Sequence, residues 1–217
     1  MLTETETKLR IIDCGLADYK KILNLQLDLQ EQRCNGQIPD TVLIVEHPPV
    51  ITLGVRKSAN RLLVSPDELA KLRIDLVEIK RGGGVTAHNP GQLVFYPILS
   101  LKQLGLGISE YIKKLQQIGS DLLNRLGVTA ESKKGYPGLW AGGKKIASIG
   151  VRVSRFITCH GMAININNDL SIFDLFVPCG LKDVQMTSAA KETGEKYPMP
   201  DIKKQLFRLL AEHFSDR

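Results

Sequence analysis

The 217-residue chain has no apolar run that approaches the length of a membrane span. Its four cysteines, Cys14, Cys34, Cys159 and Cys179, are scattered, with no CxxC pair. That usage suits reduced thiols in the cytoplasm better than a disulfide framework. The four histidines, His47, His88, His160 and His213, show no metal-ligand spacing, so no metal site is expected. There is no Gly-Lys-Ser/Thr phosphate loop, and no Ser-His-Asp set stands out. The opening residues are acidic and lead into no apolar stretch, and arginine first appears at Arg10, so neither a secretory signal nor a transit peptide is expected. Without repeats, low-complexity segments or linkers, one domain is expected over 1–217, with an ordered core at 9–215 and a flexible tail at 1–8.

What is present is an ordinary globular composition, 43% apolar and 24% charged, with a net charge of +6. The charge suits an acidic partner, whether nucleic acid, carrier protein or anionic ligand. Strands are predicted at 9–13, 41–46, 50–54, 76–80, 92–96, 128–132, 137–141, 145–154 and 157–166, helices at 16–33 (capped by Asp13) and 200–214, and a short helix at 66–73. The strongest helical period runs over 108–126, through Ile108, Tyr111, Ile112, Leu115, Ile118, Leu122, Leu123 and Leu126, and Gly127 stops it. Short strands, hairpins and separated helices predict an α+β fold with a mixed, mostly antiparallel sheet flanked by helices.

Two residues carry the chemical argument. Strict alternation from Lys145 puts it on one face with Ala147, Ile149, Val151 and Val153, so the lysine starts on an apolar side. Such an ammonium needs an anion, and a thiolate is a suitable one. Unit charges about 4 Å apart attract by roughly 4 kcal/mol at an effective dielectric near 20. That is enough to bring a cysteine from a pKa of about 8.5 to near neutrality and make it a nucleophile. Cys179 lies between Pro178 and Gly180, in a turn that can present sulfur to a pocket. The plain alternatives are a strand-end lysine reaching solvent and a small buried cysteine. Arg81-Gly-Gly-Gly84 reads either as a hairpin connection or as a ligand loop, and His88 either shapes that loop or bonds a substrate.

These stretches together resemble the lipoyl(octanoyl) transferase family. The resemblance rests on Glu46–Gly54, Arg81–Pro97, Lys145–Arg155, Thr158–Ala163 and Phe176–Leu181, and covers about residues 10–195. It implies a single domain of the biotin/lipoate protein ligase catalytic type. It also implies transfer of octanoyl from acyl carrier protein to a lysine of lipoyl domains of 2-oxoacid dehydrogenases or of glycine-cleavage H protein. Cys179 matches the acyl-thioester nucleophile and Lys145 the residue that lowers its pKa. Arg81, Gly82, Gly83, Gly84, Val85, Thr86, Ala87 and His88 match segments lining the acyl pocket, as do Ser148, Ile149 and Gly150, and Gly161, Met162 and Ala163. No cofactor, metal, nucleic acid or membrane is implied, and a cytoplasmic monomer is expected. Where the family usually has tyrosine and glycine, this chain has Ala87 and Asn89, and asparagine tolerates the φ > 0 that a glycine position can require. The alternatives are an octanoyl amidotransferase or an ATP-dependent lipoate or biotin ligase on the same fold, and, from another class, a nucleic-acid-binding module.

Overall fold

The run Val42-Leu-Ile-Val45 offers no polar face, so it suits only a strand covered on both sides. In the computed structural model, which describes residues 9–177 and 184–214, all four of its side chains are buried. In chain order the elements are β1 (Leu9–Leu16), α1 (Tyr19–Cys34), β2 (Asp40–Glu46), β3 (Val50–Leu53), α2 (Pro66–Lys71), β4 (Asp75–Glu78), β5 (Thr86–His88), β6 (Gln92–Ile98), α3 (Leu101–Leu104), α4 (Ile108–Arg125), β7 (Glu131–Lys133), β8 (Tyr136–Ala141), β9 (Lys144–Ser154), β10 (Ile157–Asn165), α5 (Ala189–Thr193) and α6 (Met199–Phe214). Single 3-10 turns lie at Lys57–Ala59 and Ser171–Leu175.

A seven-stranded sheet runs in the order β1-β2-β6-β10-β9-β8-β7, with β1 parallel to β2 and every other pair antiparallel. A smaller sheet, β4-β3-β5, lies beside it. Strand alternation divides the large sheet's side chains between two cores. Val42, Ile44, Leu93 and Phe95 pack with α4 and α6, whereas Leu43, Val45, Val94, Tyr96 and Ile98 pack with α1. The small sheet builds a third cluster around Ile51, Ala87, Leu69 and Phe173.

This is the α+β architecture expected, with local differences that have physical causes. β1 continues through Gly15 (φ +62°) to Leu16, so α1 starts later, and Asp18 rather than Asp13 caps it by accepting from Lys21 N–H at 2.9 Å. Residues 128–130 close the end of α4 through Val128 N–H to Leu123 C=O, which moves β7 to 131–133. The one-turn helices α3 and α5 are too short to leave a period in the sequence. The largest difference is in β9. Trp140 pairs with Lys145 and Leu139 with Ala147, so two steps of β9 oppose one step of β8. This bulge at Ile146 breaks the alternation. Ile146 and Ala147 both enter the α4 core, Ala147 opposite Leu139, while Lys145 stands opposite Trp140, whose side chain points to the other face of β8. The expectation that Lys145 and Ala147 share a face is therefore corrected.

Candidate active site

A cavity of about 230 Å³ opens between the large sheet and the glycine-rich segment before β5. One wall is main chain. Gly54, Val55 and Arg56 donate their N–H groups to Gly84, Arg81 and Gly83, at 3.3, 3.1 and 3.1 Å. Val85 N–H reaches Ala59 C=O at 3.3 Å, and Gly82 N–H reaches Val151 C=O of β9 at 2.9 Å. A Cβ on Gly84 would lie 2.5 Å from that of Ala59, and one on Gly54 would strike the Gly83 carbonyl. These glycines are needed because backbone meets backbone. The Arg81 side chain folds under the loop, its Nη2 donating to the Thr52 carbonyl at 2.9 Å and to Thr52 Oγ1 at 2.7 Å. Its charge is thereby held at the cavity in a residue only 7% exposed.

Lys145 lines the same cavity and is 3% exposed, with its Nζ 5.2 Å from the centre of the Trp140 ring. Gly138, at φ +140°, lies against it: a Cβ there would strike the Ala147 carbonyl and lie 2.9 Å from Lys145 Cε. The backbone of Lys145 holds the chain at Gln185 and Thr187, beyond Pro178-Cys-Gly180 in sequence. Its N–H donates to Gln185 C=O at 2.8 Å, and its C=O accepts from Thr187 N–H at 2.9 Å, a parallel bridge centred on Met186. Cys179 itself lies outside the described residues. On the near side of its segment Val177 N–H donates to Arg61 C=O at 2.9 Å, and on the far side Val184 borders the cavity.

Of the residues expected to bind substrate, Arg81, Gly82, Gly83, Gly84, Val85, Thr86, His88, Ser148, Ile149, Gly150, Gly161, Met162 and Ala163 all line this one cavity. Ala87 does not. On β5, Thr86 and His88 point to the cavity and Ala87 to the opposite side, fully buried against Ile51 and Phe173. Asn89 makes no use of a left-handed conformation. The positive φ is at Gly91 (+86°), while Asn89 donates to Asp169 C=O at 2.7 Å and accepts from Asn168 Nδ2 at 3.1 Å.

Sequence reasoning missed Tyr19, Tyr96, Trp140 and His160 in the wall, and His47 packed beside Tyr19 and Tyr96. Tyr19 stacks on His88 with ring centres 5.6 Å apart. His47 donates from Nδ1 to Ala17 C=O at 2.8 Å, and its Nε2 accepts from the Tyr96 hydroxyl at 3.0 Å. Burial holds these histidines uncharged. It lowers His47 to about 4, and it lowers His88 to about 3 with help from neighbouring His47. His160 falls to about 3 through burial and then the charge of Arg81. His160 also sits at φ +60°, a strained conformation for a non-glycine residue, with its N–H held by Gln26 Oε1 at 2.9 Å. Nothing in local sequence reports this cluster, because its members come from five separate segments.

A buried chain of hydrogen bonds ties this histidine side to the Lys145 side. His88 Nδ1 donates to Gln92 Oε1 at 2.7 Å, which leaves Nε2 an acceptor. Gln92 Nε2 donates to Asn165 Oδ1 at 2.9 Å, and Asn165 Nδ2 donates to Thr187 C=O at 2.9 Å. Thr187 is the residue whose N–H holds Lys145.

The site thus combines a half-enclosed, largely apolar cavity, two buried cations and uncharged imidazoles, which suits an uncharged acyl chain with a reactive carbonyl at its mouth. Residues 18–211 match the family model of the lipoyl protein ligase A/B catalytic domain. The chain is 42% identical to an octanoyltransferase of Desulfovibrio desulfuricans, over 88% of this chain and 81% of that protein. It is 41% identical to an octanoyltransferase of Chloroflexus aggregans, over 96% of each. The crystal structure of lipoate-protein ligase A bound with ATP has the same fold, with a TM-score of 0.72 at 15% identity over 96% of this chain and 85% of that one. With its fold and its cavity in agreement, the chain belongs to the octanoyltransferase family of lipoyl protein ligase A/B catalytic domains.

Proposed function

We propose that this acyltransferase of protein lipoylation takes octanoyl from acyl carrier protein and passes it, through a thioester on Cys179, to a lysine of a lipoyl domain or H protein. The Cys179 thiolate attacks the carrier thioester, the carbonyl–sulfur bond to the carrier breaks, and the departing thiolate takes a proton from the Lys145 ammonium. The acceptor amine then attacks the Cys179 thioester. An amide forms, the Cys179 thiolate leaves, and the proton lost by the amine returns to Lys145. Thioester exchange is near balance, and amide formation draws the sequence forward.

The observation that carries this reading is the seat of Lys145. A buried lysine borders the cavity while its backbone holds Gln185 and Thr187, the former six residues beyond Cys179. The glycine wall, Ser148–Gly150 and Gly161–Ala163 then line the acyl chain, in one catalytic domain acting as a cytoplasmic monomer. The surplus positive charge favours acidic carrier and acceptor domains, with association slowing as salt rises. No helix among the described residues is long and apolar enough to cross a membrane. Intact-protein mass spectrometry after mixing with octanoyl-carrier, without ATP, is expected to show one octanoyl adduct that maps to Cys179 and disappears in Cys179→Ser. Full turnover by Cys179→Ser, or a requirement for ATP, would overturn the reading.

A further inference from the structure

Gly119 sits in the interior of α4 with an ordinary helical backbone, where glycine weakens a helix and calls for a packing reason. The reason is Met162. A Cβ on Gly119 would overlap Met162 Cε, lie 2.9 Å from its Sδ and lie 3.0 Å from Leu139 Cδ1. The thioether end of Met162 therefore occupies the notch that Gly119 leaves. Met162 also borders the cavity, as does Ile112 of α4. Ile112 and Gly119 are seven residues apart, hence on one face of the helix and about 10 Å apart along its axis. One helix face thus runs from the cavity wall to the notch, with Met162 between the two.

We infer that Gly119, through Met162, sets the length of acyl chain the cavity admits. The inference rests on the acyl-transfer reading above. Methionine is unbranched and changes rotamer readily, so its tip yields when crowded. Leu139 against the notch, and Leu115 and Leu122 one turn to either side of Gly119 on α4, are all buried to 1% or less. A methyl added at 119 therefore turns Met162 toward the free volume it borders, which is the cavity, and shortens it. Removing the Met162 side chain lengthens it.

The test measures kcat/KM for hexanoyl, octanoyl, decanoyl and dodecanoyl thioesters of acyl carrier protein. Each methylene that loses its place costs about fourfold in rate. Gly119→Ala is therefore expected to lower the octanoyl-to-hexanoyl ratio by roughly fifteenfold, two methylenes' worth. Met162→Ala is expected to raise the decanoyl- and dodecanoyl-to-octanoyl ratios. Gly119→Ala/Met162→Ala is expected to show the Met162→Ala profile, because the added methyl has lost the group it displaces. Unchanged ratios in folded variants, or strictly additive effects in the double variant, would overturn the inference while leaving octanoyl transfer intact. If Gly119→Ala does not fold, the Met162→Ala profile decides alone. Wild-type protein that transfers no acyl chain of any length would overturn the acyl-transfer reading, and this inference with it.

Discussion

Asn165 offers the sharpest perturbation of the link between the two sides of the cavity. It is 1% exposed and donates to Thr187 C=O while accepting from Gln92. Asn165→Asp keeps the shape and the acceptor but replaces the donor with an oxygen that faces a carbonyl. A buried carbonyl left without its donor costs about 1–3 kcal/mol. Desolvation of the new carboxylate adds to this, so roughly 2–4 kcal/mol is expected at pH 7, within the 5–15 kcal/mol that typically holds a domain of this size. Burial raises the folded pKa of the new acid above its unfolded value of about 3.9. Between those two values the folded variant binds a proton that the unfolded chain does not. The protonated acid can donate again to Thr187, so the variant's deficit relative to wild type shrinks as pH falls and grows as pH rises through the folded pKa. Asn165→Leu has no such recovery. Because Thr187 and Gln185 hold the backbone of Lys145, both variants are expected to lose kcat more than they raise KM. Urea denaturation and octanoyl-transfer kinetics at pH 7 and pH 5 check this. Deficits for Asn165→Asp and Asn165→Leu that keep a constant separation across pH would refute it.

Burial of neutral imidazoles predicts a second pH effect. His47, His88 and His160 have folded pKa values below the unfolded one, so the stability they confer is full above about pH 6.5 and is lost as pH falls to about 4 for His47 and about 3 for His88 and His160. Each is expected to cost about 2 kcal/mol between pH 7 and pH 5, and urea midpoints in His47→Gln should show a shallower dependence. Gly138→Ala combines a φ of +140° with a Cβ that strikes the Ala147 carbonyl oxygen and lies 2.9 Å from Lys145 Cε. About 1–3 kcal/mol of strain and at least a tenfold loss of kcat/KM are expected from thermal melts and transfer assays. Asp40 accepts from Arg33 Nε at 2.6 Å and from Ser100 N–H at 2.9 Å, and none of the three lines the cavity. Asp40→Ala strands a buried guanidinium, so a loss of about 3–5 kcal/mol with unchanged KM is expected from urea denaturation and steady-state kinetics.

The parts of this molecule that sequence disclosed are those in which one segment carries its own signal. The period from Ile108 to Leu126 marks α4 because a single helix face must meet the core, and the apolar run of β2 shows that both its faces are covered. The glycine wall was legible as motif, but the reason for Gly54 and Gly84 appears only where two loops cross. The face of Lys145 was misjudged because the bulge at Ile146 depends on how β8 pairs, a long-range fact that alternation in β9 does not contain. His47 and His160 were passed over for the same reason. A turn residue and a strand residue become cavity neighbours only after β2, β5, β6 and β10 are assembled. The readings that rest on Cys179 and on residues 1–8 lie outside the described residues.

The crossing of residues 54–59 with 81–85 has a consequence for how such a protein can diversify. Side chains adjust by turning about their own bonds, whereas peptide planes pinned to one another by hydrogen bonds have no comparable freedom. That side of the chamber behaves as a cast mould, so a lineage that needs a different cargo has little to alter there. Novelty has to arise in the rest of the lining, where side chains such as Ile112, Tyr136 and Met162 can be exchanged without unpicking the chain.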